Sequence, residues 1–232
     1  MIELFPEGFE EVDREGGVEL AAYTDPAGEE RLWAAFGGAR SDEVAEGWEY
    51  GWRAFHRPVR IGPLWVGPPW EEADAGAISV VIDPGRAFGT GGHATTRLCL
   101  ELLLDLPRGS LLDVGCGSGV LSIAAAKLGF GPVVAVDFDA QAIEATARNA
   151  DANGVAVDAR LADARTGELP PVDTAVVNVA LDLDVAIAAR LDCRRLVTSG
   201  YLAAEAPAPA GYRREDRREA DGWAADLHIR TQ

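Results

Sequence analysis

Three closely spaced glycines and one acidic residue are the part of this sequence best suited to bind a ligand. Leu112–Gly119 reads LDVGCGSG, and such glycines let a ligand approach the backbone without a Cβ in the way. A dinucleotide site has GxGxxG, whereas here the third glycine comes one residue early, at Gly119, and Val120 fills the expected position. Asp137 ends the next apolar run, where a carboxylate can accept hydrogen bonds from both ribose hydroxyls. Together these features predict a nucleoside site without a pyrophosphate.

Two further stretches carry polar groups that could face the same ligand. Asn178 ends the apolar run DTAVVN, and its amide offers one acceptor and two donors; the alternative is an Asn that only forms a turn. Residues 83–97 read DPGRAFGTGGHATTR, and Thr95 or Thr96 is expected to cap the helix that follows. The role of His93 stays open between a helix-start or packing role and a catalytic one.

Alternating strand and helix patterns predict how these residues are positioned. Strands are expected at 111–115 and 133–137 and in the runs VDARLAD, DTAVVNV and RRLVTSG. Helices are expected over 120–129, closed by Gly129, and over 139–154, with Asp139 as N-cap and Gly154 beyond the end. Continuous apolar strands separated by helices predict an α/β fold with a doubly wound, mostly parallel, Rossmann-like sheet.

The chain before this sheet divides into two regions. We predict a small α+β domain over residues 1–45, an aromatic connector over 46–75, and the main domain over 76–232. VRIGPLWVG in the connector and AISVVID at 77–83 are expected to be extended.

Composition excludes several classes of protein. A hydrophobic content of 48% favours a folded core. The net charge of −17 argues against direct nucleic-acid binding and is compatible with a basic protein partner or with solubility alone. The cysteines and histidines show no metal-ligand spacing, so no metal is expected. No apolar run is long enough to span a membrane and no secretory signal is seen, which predicts a cytoplasmic protein.

The glycine turn and Asp137 resemble the first two motifs of class I methyltransferases, which use S-adenosylmethionine. This resemblance implies a seven-stranded type of sheet. It also implies that Gly115 and Gly117 pass beside the methionine part of the cofactor and that Asp137 holds the ribose. It places Asp163 near the adenine amino group, with a turn or helix-cap aspartate as the alternative. For Asp113 a structural role is favoured, in which its hydrogen bonds to the backbone hold the glycine turn in place.

The run DPGRAFGTGGHATTR, the aromatic connector and the Asn178 strand resemble methyltransferases of large-subunit ribosomal protein 11. Asn178 is the predicted catalytic residue, because its side-chain oxygen could accept an N–H of the attacking amine and aim its lone pair. The implied cofactor-binding set is Phe88, Gly89, Thr90, Gly91, Thr96, Gly115, Gly117, Asp137, Asp163 and Asn178. The implied activity is methylation of the α-amine and of lysine ε-amines of that ribosomal protein by a monomeric enzyme.

Three departures from the family pattern leave two other functions open. The domain over residues 1–45, which the resemblance implies recognises the substrate, is shorter than in the family. VALDLD follows Asn178, and Pro207 and Pro209 occur where a long helix is expected. The first alternative is a methyltransferase acting on another protein or a small molecule. The second is a non-catalytic protein that binds S-adenosylmethionine.

Overall fold

The chain forms two compact units, Met1–Gly51 and Trp52–Gln232. The computed structural model describes residues 10–14, 17–21, 31–32, 35–36, 57–83 and 91–231, with backbone alone over 10–14, 17–21 and 182–185. In the first unit, β1 (Glu10–Arg14) and β2 (Gly17–Ala21) pair antiparallel. The boundaries at residues 45 and 75 stay a prediction.

A seven-stranded sheet forms the centre of the second unit, as predicted, in the order β11-β12-β10-β9-β6-β7-β8. Starting from β6, the next two strands along the chain, β7 and β8, lie on one side of it in the sheet, and the following two, β9 and β10, lie on its other side. These five strands are parallel, whereas β12 runs antiparallel to both its neighbours. The strands are β6 (Leu111–Val114), β7 (Val133–Asp137), β8 (Asp158–Leu161), β9 (Val172–Asn178), β10 (Cys193–Leu202), β11 (Tyr212–Ala220) and β12 (Trp223–Arg230).

Apolar strands and helix boundary residues explain why this part of the sequence folds locally as predicted. All residues of β6 and β7 are buried, as expected for strands covered on both faces. The helices are α1 (Ala94–Asp105), α2 (Val120–Lys127), α3 (Ala140–Asn153) and α4 (Leu181–Ala188). Asp139 caps α3 by accepting from Gln141 N–H, and Gly154 ends it with a φ of 65°, which confirms both predicted boundaries. Within the described residues, no helix is long and apolar enough to cross a membrane.

A second, three-stranded sheet adds to the core on the α1–α3 side. It contains β3 (Val59–Ile61), β4 (Leu64–Gly67) and β5 (Ile78–Val81), in that order. Buried Leu64, Val66 and Val80 join the cluster that includes the apolar residues of α1 and α2. The expected extended segments are therefore confirmed, and β5 ends next to α3.

The structure differs from the sequence-based prediction in two places. The N-cap of α1 is His93, whose side chain accepts from Thr95 N–H, so the prediction of a threonine cap is wrong. Thr95 and Thr96 lie inside the helix because the chain turns helical directly after His93. The hairpin of β11 and β12 was not predicted, although Asp221-Gly222 at its tip is a strong hairpin signal.

Candidate cofactor site

A cleft of about 1180 Å³ opens at the carboxyl ends of the central strands. It lies where β6 has β7 on one side and β9 on the other, which is the point where the strand order reverses. Open α/β sheets bind ligands at this point because neighbouring connections leave in opposite directions. The glycine turn after β6, Asp137 of β7 and Asn178 of β9 all line the cleft.

The glycine turn needs left-handed backbone conformations. Gly115, Gly117 and Gly119 have φ values of 74°, 53° and 82°, which side chains other than glycine rarely adopt. A Cβ at Gly115 would lie 2.6 Å from Val179 Cγ1, and one at Gly119 would lie 2.9 Å from Thr146 Cγ2. The turn therefore brings bare backbone to the cleft, as the sequence predicts.

The Asp137 carboxylate is fixed by backbone amides on both sides of the cleft floor. Gly117 N–H donates to Oδ2 at 3.1 Å, and Asp139 N–H donates to Oδ1 at 3.0 Å. Only 9% of Asp137 is exposed. Since each carboxylate oxygen can accept about two hydrogen bonds, each oxygen keeps acceptor capacity for a ligand.

Asn178 lies at the end of β9, beside a close backbone contact with β10. Its register partner on β10 is Ser199, and Gly200 follows with a φ of 108°. A Cβ on Gly200 would lie 1.8 Å from the Val179 carbonyl oxygen. The absence of a side chain at Gly200 thus lets the loop after Asn178 settle against β10.

His93 and Trp223 form another part of the cleft wall. Their rings meet edge to face, with centroids 4.9 Å apart. His93 Nδ1 lies 2.8 Å from Thr95 Oγ1 and also accepts from Thr95 N–H. A ring nitrogen that accepts a backbone N–H carries no proton, so the neutral ring has its proton on Nε2. His93 therefore caps a helix while it lines the cleft.

Asp113 lies beneath the glycine turn and supports it. Its Oδ2 accepts from Ser122 Oγ at 2.6 Å and from Ser122 N–H at 3.1 Å. The carboxylate thereby joins the end of β6 to the first turn of α2, and the turn lies between them. Burial raises the pKa of Asp113 to about 6, against the lowering effect of the Ser122 hydrogen bonds. The structural reading of Asp113 fits this geometry.

Asp163 lines the cleft but already has a partner. Its carboxylate accepts from Arg165 N–H at 2.9 Å and forms an ion pair with the Arg165 guanidinium at 2.8 Å. These Arg165 hydrogen bonds lower the pKa of Asp163 to about 2. The geometry is that of a turn aspartate, and the role near adenine stays a prediction.

The remaining predicted residues fall in different places. Thr96 lines the cleft, whereas Gly91 is not among the described lining residues; a Cβ on Gly91 would lie 2.5 Å from Val66 Cγ1. Phe88, Gly89 and Thr90 lie outside the described residues. Sequence reasoning missed several lining residues: Phe138, Arg165, Val179, Gly200 and Trp223. The hairpin signal at Asp221-Gly222 could have located Trp223, but Gly200 has no local signal because its neighbour comes from another strand. The part of the chain that is described contains no cluster of three metal-ligating side chains.

Comparisons with known proteins agree with this arrangement. The family model "Ribosomal protein L11 methyltransferase (PrmA)" matches residues 29–204. The ribosomal protein L11 methyltransferase of Symbiobacterium thermophilum is 41% identical over 201 residues, which are 80% of this chain and 66% of that protein. The protein of the same name from Methylococcus capsulatus is 41% identical over 237 residues, covering 93% of this chain and 79% of its own. The chain spans less than two thirds of some relatives, such as 58% of that from Legionella pneumophila strain Lens.

The fold of this chain also resembles that of a solved structure. The ribosomal protein L11 methylase of Lactobacillus delbrueckii subsp. bulgaricus superposes with a TM-score of 0.67 at 26% identity. The match covers 76% of this chain and 100% of that one. On the family match and on these relatives, the chain belongs to the ribosomal protein L11 methyltransferase family.

Proposed function

We propose that this chain binds S-adenosylmethionine in the cleft and transfers its methyl group to amino groups of ribosomal protein L11. The observation that carries the proposal is the pairing of the glycine turn with Asp137, at the point where the strand order reverses. Membership of the family supports the choice of substrate. The α-amine and lysine ε-amines are the proposed acceptors.

The residues present fit this cofactor. The glycine turn presents bare backbone to the cleft, where a Cβ at Gly115 would clash with Val179 Cγ1, and Asp137 offers free acceptor capacity to a ribose. Phe138 lines the cleft with a side chain that is 77% exposed, which provides an apolar face for a base. We infer that Thr96, Gly115, Gly117, Asp137, Asp163 and Asn178 belong to the binding set, together with Phe88, Gly89, Thr90 and Gly91.

In methyl transfer to an amine, the main task of the protein is to position the substrate. Bound S-adenosylmethionine supplies an electrophilic methyl group on a positively charged sulfur. The acceptor amine must be neutral, because an ammonium has no lone pair. We infer that the Asn178 side-chain oxygen accepts an N–H of the amine and so aims its lone pair. The ammonium form of the acceptor can lose its proton to water before the transfer, so no dedicated base is needed, and positioning then supplies much of the rate of the displacement.

The first test measures cofactor binding by calorimetry. Asp137→Asn keeps the size of the side chain but removes its charge, and turns an NH₂ toward one of the two backbone N–H groups. We expect the Kd for S-adenosylmethionine to rise roughly 10- to 100-fold, since hydrogen bonds to charged groups contribute about 1.5–3 kcal/mol. Asp158→Asn is the matched control, because Asp158 lies on edge strand β8 in an exposed pair with Arg160. No binding by the wild type, or equal Kd values for Asp137→Asn and wild type, would contradict the cofactor assignment.

The second test concerns the substrate. The purified protein and labelled S-adenosylmethionine are incubated with ribosomal protein L11 from the same source, and added methyl groups are mapped by mass spectrometry. We expect label on the amino terminus and on lysines. If the wild type binds the cofactor but modifies another acceptor and leaves L11 unlabelled, the substrate assignment is wrong. Binding without transfer to any acceptor would support a non-catalytic protein.

A further inference from the structure

Helix α3 presents three polar side chains to its buried side. Thr146, Asn149 and Asn153 follow one another at spacings of three and four residues, which places them on one helix face. Thr146 is fully buried and Asn149 is 4% exposed. Buried polar groups of this kind are costly unless they are hydrogen-bonded, so their partners indicate what they hold in place.

Asn149 connects two separate segments of backbone. Its Nδ2 donates to the Ser118 carbonyl, in the glycine turn, at 2.9 Å. Its Oδ1 accepts from the Asp83 N–H at 3.1 Å, and Nδ2 also lies 3.4 Å from the Asp83 carbonyl. One side chain thus fixes the glycine turn relative to the segment that follows β5.

Asn153 makes the same kind of contact without touching the glycine turn. Its Oδ1 accepts from Val81 N–H at 2.9 Å, and its Nδ2 donates to the Val81 carbonyl at 2.6 Å. Nδ2 also donates to the Asn149 carbonyl at 2.8 Å. Asn153 therefore holds the end of β5 to α3, and Asn149 holds the segment directly after β5 to the same helix. Of the two, only Asn149 also contacts the glycine turn.

We propose that Asn149 is a positioning residue that sets cofactor affinity by holding the glycine turn in its binding conformation. The inference rests on the proposed function, since the turn is the proposed cradle for S-adenosylmethionine. A turn with three glycines has many accessible conformations, and a ligand that binds one of them binds more weakly when that one is less populated. The hydrogen bond to Ser118 restricts this choice before the ligand arrives.

The test compares Asn149→Asp with Asn153→Asp. Each change keeps an acceptor for the strand N–H and replaces the NH₂ donor with a carboxylate oxygen facing a carbonyl. We expect the Kd for S-adenosylmethionine to rise about fivefold or more in Asn149→Asp, as for the loss of a hydrogen bond of about 1 kcal/mol, and to change less than about twofold in Asn153→Asp. Thermal unfolding of both variants shows how much each change costs in stability.

A second measurement does not require the cofactor. Hydrogen exchange of the peptide containing residues 115–122 is followed in the cofactor-free protein, and we expect faster exchange in Asn149→Asp than in Asn153→Asp. If wild type does not bind the cofactor, the proposed function fails, while the exchange comparison still decides whether Asn149 holds the turn. Equal exchange and equal Kd values in the two variants would overturn the inference. Should Asn149→Asp not fold, Asn149→Ala carries the same two expectations, because it removes the donor without adding a charge.

Discussion

Asp113 and Asp137 are carboxylates near the ends of adjacent strands, yet their surroundings give them different roles. Asp137 faces the cleft and is held by two backbone N–H groups. Asp113 is 1% exposed, and burial raises its pKa to about 6. Its Oδ1 has no hydrogen-bond partner among the described residues, so ionisation of Asp113 in the folded protein is costly. Position along the strand therefore separates a carboxylate that faces the cleft, which is the proposed ligand-binding one, from a buried carboxylate that supports the turn.

The structural role of Asp113 can be tested by measuring how the free energy of unfolding depends on pH. Because the folded pKa of Asp113 lies above its unfolded value, its contribution is full below about pH 4 and is lost as pH rises through about 6. Asn cannot ionise, so the destabilisation caused by Asp113→Asn is expected to shrink between pH 4.5 and 7.5. A shift of roughly two pKa units corresponds to about 3 kcal/mol in all, of which about 1 kcal/mol is already lost at pH 4.5, so the expected decrease over this range is at most about 2 kcal/mol. Urea unfolding at several pH values measures it.

Asp173→Asn is the control, because the pKa of Asp173 in the folded protein is shifted in the opposite direction to that of Asp113. Hydrogen bonds from Ser110 lower the pKa of Asp173, so its contribution is present above the unfolded pKa and is lost only as pH falls below it. The effect of Asp173→Asn should therefore be nearly constant above about pH 5. An effect of Asp113→Asn that is equally constant over this range would mean that Asp113 is ionised in the folded protein at low pH as well.

At the scale of elements, the close approach of the loop after β9 to β10 requires the absence of a side chain at Gly200. Gly200 lies at a bulge, where the register of β10 against β12 shifts between Ser199 and Tyr201. Bulges next to functional sites redirect the chain, and here the bulge lets the Val179 carbonyl approach the strand. The position of Asn178 thus depends on β10 as well as on its own strand.

Gly200→Ala tests this dependence. The new Cβ would lie 1.8 Å from the Val179 carbonyl oxygen, so the loop after Asn178 must move. We expect a larger loss of unfolding free energy than the about 1–2 kcal/mol of left-handed strain alone, together with slower methyl transfer. Gly211→Ala is the matched control, because Gly211 has a φ of 82° but no atom of the described part of the chain lies within 4 Å of a Cβ there. If both variants lose equal stability and keep wild-type rates, the contact with Val179 is not important.

The difference between local and distant contacts also explains what could be predicted from the sequence. Strands β6, β7 and β9 follow from continuous apolar runs, and helices α2 and α3 follow from the residues at their ends, such as Gly129, Asp139 and Gly154. Strand β11, YRREDRREA, was missed because its charges hide the pattern of a half-exposed edge strand. Only Asp221 and Gly222, with φ values of 53° and 80°, mark that hairpin. The roles of Asn149 and Gly200 could not be predicted, since their partners lie far away in the sequence.

At the scale of the whole molecule, the net charge of −17 predicts an electrostatic effect on substrate encounter. A negative protein attracts a partner that presents a positive surface, and salt screens this attraction over about 10 Å at 0.1 M. We expect kcat/KM for intact ribosomal protein L11 to fall about tenfold between 20 and 300 mM NaCl, with kcat unchanged, because steering acts on association. Initial rates at saturating S-adenosylmethionine measure this, and the Kd of the small cofactor over the same salt range is the control. A kcat/KM that stays constant or rises with salt would show that the charge serves solubility alone.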